Sequence, residues 1–113
     1  MAAAGLVLVG IFAFQAIHHK DASQYYSVTN WSPETSKAFF ESCTYTAKRP
    51  GSGVSDQDAK VYCGCDIDTL QTLYKSDDEL GRAEKSWVTN GYPAEVVAAL
   101  RACASKTHTP LNI

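Results

Sequence analysis

Between residues 33 and 47 apolar side chains return at short helical steps, as Phe39, Phe40, Cys43 and Ala47. This is the spacing of one face of an α-helix. Ser32, just ahead, supplies an oxygen for the first free N–H groups, and Pro33 fits the first helical position, where its missing N–H costs nothing. A helix is therefore expected from Pro33 to about Ala47, ended by "KRPGSG". A second face follows Ser55, formed by Ala59, Cys63, Ile67, Leu70 and Tyr74, with Asp58 in a capping-box-like position. "SDDE" at 76–79 is a complete capping box, opening a third helix that runs to about Val88 and stops at Asn90-Gly91, a pair suited to a left-handed turn. Pro93 opens a fourth, with Val96, Val97, Leu100 and Cys103 turned inward, before the chain frays into "SKTHTPLNI". No segment alternates over strand length and no repeat is present. The expected fold class is all-α, a bundle of four short helices over residues 32–105 with 106–113 as a tail.

The N-terminus follows a different pattern. From Ala2 to Ile17 the sequence "AAAGLVLVGIFAFQAI" carries no charge. As a helix it spans about 24 Å, short of the roughly 30 Å of bilayer hydrocarbon. Extension through "HHKDASQYY" completes the crossing and brings Tyr25, Tyr26 and Trp31 to the headgroup level. A cleaved signal peptide competes with this reading, but no Lys or Arg precedes the apolar run, and the best cleavage candidate, Ile11-Phe12-Ala13, lies inside it. The expectation is a single transmembrane anchor over 1–20, then a stalk over 21–31. On a helical wheel Ala2, Ala3, Gly10 and Ala13 fall within an arc of about 100°, a small-residue face for packing against another membrane helix. His18, His19 and Lys20 favour a cytoplasmic C-terminus, whereas the cysteines favour an oxidising compartment; the cysteines carry more weight, which puts the helical domain in the periplasm or outside the cell.

Size and charge narrow the function. A chain of 113 residues holds one domain, and its formal net charge of −2, with basic residues scattered from Lys20 to Lys106, leaves no footprint for nucleic acid. Once the apolar run is set aside, the domain is small enough to need cross-links. The four cysteines, Cys43, Cys63, Cys65 and Cys103, answer that need.

Cys63-Gly64-Cys65 also invites other chemistry. As a redox dithiol it has poor geometry, because residues two apart on a helix point about 200° from each other and Cys63 lies well inside the expected helix. Zinc spacing is missing, and so is C-x-x-C-H for covalent haem. The acids of "DID" at 66–68 and "DDE" at 77–79 do not form a calcium loop and read as helix caps and solvated faces. No metal and no cofactor is expected. The opposed directions of Cys63 and Cys65 suit two staples, each to a different neighbour. Cys43 with Cys63 and Cys65 with Cys103 is the favoured pairing; Cys43 with Cys65 and Cys63 with Cys103 is the alternative. Loops of about 20 and 40 residues would contribute on the order of 3 to 4 kcal/mol each.

The order Phe39, Phe40, Cys43, "YCGC" at 62–65, Leu70, Tyr74 and Cys103 resembles the F…C…YCxC…L…C framework of small exported bacterial proteins. The resemblance spans roughly residues 34–104 and implies a disulfide scaffold and a bacterial origin, with no catalytic residue to carry over. The residues themselves form no catalytic constellation. The expected function is a non-catalytic, membrane-anchored accessory subunit, whose partners are an integral membrane protein complex and membrane lipid. A free anchored module binding a ligand or peptide is the alternative, and a thiol-redox protein using Cys63 and Cys65 comes after it.

Overall fold

Serine starts three of the four helices. In the computed structural model, which describes residues 24–107 and 109, α1 runs Pro33–Ala47, α2 Asp56–Leu73, α3 Asp77–Asn90 and α4 Ala94–Thr107. The Oγ atoms of Ser32, Ser55 and Ser76 accept from the backbone N–H of Thr35, Asp58 and Glu79 at 3.1, 3.0 and 3.1 Å, satisfying donors that the helix cannot reach. Gly91 closes α3 at φ 79°, a conformation open to glycine at little cost, and its N–H donates to the Trp87 carbonyl. No strand occurs among the described residues, and the fold is all-α.

The central helix is α2, with α1 on one side and α4 on another. Ala59, Cys63, Ile67 and Leu70 of α2 are at most 1% exposed, and Val96, Leu100 and Cys103 of α4 meet them in one core. Cys-Gly-Cys is the point where three neighbours converge on α2. Successive side chains leave a helix about 100° apart. Cys63 bonds Cys43 of α1 and Cys65 bonds Cys103 of α4, with Cα atoms 5.8 and 5.7 Å apart. Gly64, between them, carries the backbone of Tyr25: a Cβ there would lie on the Tyr25 carbonyl oxygen and 2.6 Å from its carbonyl carbon. A bond between Cys63 and Cys65, which the thiol-redox reading requires, is not formed.

Residues 24–31 differ from the expected stalk. They lie along α2, held by the buried side chain of Gln71. Its Oε1 accepts from the backbone N–H groups of Thr29, Asn30 and Trp31 at 3.2, 2.9 and 3.0 Å, and its Nε2 donates to the Ser27 carbonyl at 2.7 Å. Trp31, expected at the headgroups, is 2% exposed and donates its indole N–H to the Tyr74 carbonyl at 2.7 Å. Tyr25 and Tyr26 are half-buried, with ring centroids 6.1 and 5.1 Å from that of Phe40. The reason is apolar area: rings left in water gain more by covering Phe40 and α2 than a polar stalk gains from solvation. At the other end, α4 reaches Thr107, and Thr107 and Thr109 are buried, so the expected tail begins inside the fold.

Gln71→Leu is expected to lower stability by about 2–4 kcal/mol, because it leaves the buried Trp31 N–H, the partly buried N–H groups of Thr29 and Asn30 and the partly buried Ser27 carbonyl without their partner. Urea unfolding measures this, and a loss under about 0.5 kcal/mol would show that the 24–31 segment adds little.

The anchor over 1–20 and the packing face of Ala2, Ala3, Gly10 and Ala13 lie outside the described residues. Among the described residues no helix is long and apolar enough to cross a membrane.

Candidate functional site

Tyr62, Asp66 and Leu70 follow one another at four-residue steps along α2 and form the floor of a cleft of about 600 Å³. Its walls come from a face of α1 that includes Ala38, Phe39, Ser42 and Cys43, and from Leu80, Glu84 and Trp87 of α3. Tyr92 and the α4 residues Val96 and Leu100 complete it, with Thr109 beside them. The lining is mostly apolar. Phe39 is braced by Trp31, centroids 5.5 Å apart, and Trp87 stands edge-on between Tyr74 and Tyr92 at 5.8 and 5.3 Å. The Cys43–Cys63 disulfide ties the α1 wall to the floor.

Asp66 is the exception in this lining. It is 2% exposed, and its Oδ1 is buried without a hydrogen-bond partner. Oδ2 lies 3.8 Å from Cys43 Sγ, a disulfide sulfur with no proton to give. Burial pushes the Asp66 carboxyl up to about 8, with the Tyr62 hydroxyl beside it pulling the other way. The Tyr62 phenol is itself shifted upward, first by burial and then by the charge of Asp66. Glu84 on the α3 wall is also shifted upward by desolvation. Burial therefore favours the neutral form of the carboxyl on this floor.

The expectation that the "DID" acids cap helices or face solvent fails for Asp66 and holds for the exposed Asp68, which accepts from the Ser27 N–H at 2.8 Å. Asp66 lies three residues after Cys63 and four before Leu70, between two core positions of α2. That register was the available signal. Tyr62 and Trp87 line the cleft, while Tyr74 packs against Trp87.

All four cysteines are in disulfides: Cys43 and Cys63 beside the cleft, Cys65 and Cys103 on another side of α2. Among the described residues no group of three or more His, Cys, Asp or Glu is placed to hold a metal ion. His108 lies outside the described residues. Comparison with known protein families, with curated protein sequences and with solved structures finds no match.

Proposed function

We propose that this protein is a non-catalytic binding module of an oxidising, extracytoplasmic compartment, which takes an apolar ligand into the cleft between α1 and α3. The cleft carries this reading. Its volume of about 600 Å³ falls within the roughly 300–1,000 Å³ of small-molecule sites, and a mostly apolar lining with a few placed polar groups is the usual composition of such sites. The two disulfides support the compartment. The Cys43–Cys63 bridge also supports the mode of action, because an α1 wall already cross-linked to the floor loses little further freedom when a ligand arrives. Attachment through the N-terminal apolar run would confine the module to a membrane surface. Service as an accessory subunit is compatible with this, with the cleft turned toward the partner complex.

A neutral, environment-sensitive dye tests the reading. Saturable one-site binding with a micromolar Kd is expected. Ala38→Trp, which fills the cleft from an exposed position on α1, is expected to weaken binding by at least about tenfold while circular dichroism and unfolding midpoint stay unchanged. Binding that fails to saturate, or that ignores the tryptophan, would overturn the proposal.

A further inference from the structure

A carboxyl group buried on an apolar floor with one oxygen unpartnered carries a cost that the fold does not need. Gln71, about one and a half helix turns further along α2, shows the contrast: buried like Asp66, it has both its amide oxygen and its amide nitrogen in hydrogen bonds. Oδ1 of Asp66 lacks a donor. The Tyr62 hydroxyl is the side-chain donor beside this carboxyl, and Oδ1 keeps lone pairs open to a donor that enters the cleft.

The groups facing Asp66 narrow the chemistry of that donor. On its own helix stands Tyr62; from α3 comes Glu84; from the link before α4, Tyr92; α4 itself faces the cleft with Val96 and Leu100. The basic residue of the described lining is Arg49, just beyond α1, and its guanidinium donates to the Thr46 carbonyl at 3.0 Å. When ionised, the cleft therefore holds two carboxylates against one arginine occupied at a helix end. Phe39, Tyr62, Trp87 and Tyr92 add aromatic rings, whose faces attract cations.

We propose that the ligand is a small apolar primary amine, whose body lies along the aromatic and aliphatic walls while its ammonium N–H donates to Oδ1 of Asp66. The assignment rests on the cleft being a binding site as read above. A carboxylate ligand would set like charges together, a neutral alcohol would leave the charge complementarity unused, and a quaternary ammonium has no N–H for Oδ1. The charge-assisted hydrogen bond selects the primary amine among ligands of equal apolar size. Because Asp66 is neutral in the empty cleft, binding of an alkylammonium ion converts carboxylic acid and ammonium into an ammonium–carboxylate pair and releases one proton to solvent per ligand at about pH 7. Affinity then rises between about pH 6 and pH 8, as the proton to be displaced is held less firmly.

Isothermal titration of the full chain with octylamine, octanol, octanoate and octyltrimethylammonium, in buffers of different ionisation enthalpy, is the test. Octylamine is expected to bind at least about tenfold tighter than the other three and to release close to one proton, and Asp66→Asn is expected to remove both the preference and the release. If amine and alcohol bind alike, or octanoate binds best, the amine assignment is overturned and the cleft stands as a binding site. If none of the four binds, the reading of the cleft falls and the assignment falls with it.

Discussion

Asp66→Asn is expected to stabilise the domain by on the order of 4 kcal/mol near neutral pH and to change it little at about pH 3. The reason is the difference between the ordinary carboxyl value of 3.8 and the value of about 8 that burial imposes on Asp66. Below the lower value both folded and unfolded chains hold the proton. Between the two, the unfolded chain ionises and gains hydration while the folded chain keeps a neutral acid, so stability falls as pH rises through this window. Above the upper value both forms are ionised and the loss levels off. Asparagine does not titrate, so the variant pulls ahead of the parent across the window and holds its lead beyond it. Urea unfolding of both proteins at intervals from about pH 3 to pH 9 reads the difference; parallel profiles would show that Asp66 is ionised and solvated in the folded protein. A residue whose removal stabilises the fold is held for something other than the fold, which is the trade-off expected at a binding site.

Removal of the cross-links should act more strongly still. The Cys43–Cys63 and Cys65–Cys103 bridges close sequence separations of 20 and 38 residues. By loop-closure entropy they stabilise the domain by about 3 and about 4 kcal/mol. Their sum of about 7 kcal/mol rivals the whole stability of many small domains, roughly 5–15 kcal/mol. Full reduction is therefore expected to unfold the protein at 37 °C, seen as loss of near-ultraviolet dichroism and of cooperative melting. The paired replacements separate the two bridges. Cys65→Ala with Cys103→Ala is expected to cost the larger share of stability yet leave the cleft walls in place. Cys43→Ala with Cys63→Ala costs less stability and frees the α1 wall, so dye affinity drops as well. Peptide mapping without reductant provides the check on connectivity, and a reduced protein that still melted cooperatively at its original midpoint would refute the staple account.

The helices and their ends were legible in the sequence because the forces that set them are local. A serine oxygen reaches an N–H three residues away, glycine at 91 tolerates the left-handed turn, and apolar side chains three or four residues apart share a face whatever lies opposite. The opposed directions of Cys63 and Cys65 follow from the same helical step, so two staples to different neighbours could be read in advance, whereas the choice between the favoured and the crossed pairing is made by how α1 and α4 pack on α2. Gly64 was visible as a residue but not as a site of close approach, since the backbone that needs the space belongs to Tyr25. Residues 24–31 carry no period of their own; their order comes from Gln71, about forty positions away in the chain, and sequence proximity gives no hint of that hydrogen-bonded hold. Asp66 shows the boundary most clearly. Its position on the apolar stripe of α2 was written in the register, whereas its burial, its orphaned oxygen and its raised proton affinity arise only when α1 and α3 rise on either side of it. Helical periodicity determines which face a side chain occupies; the dielectric and the partners it meets there depend on elements remote in sequence, and those only the tertiary structure decided.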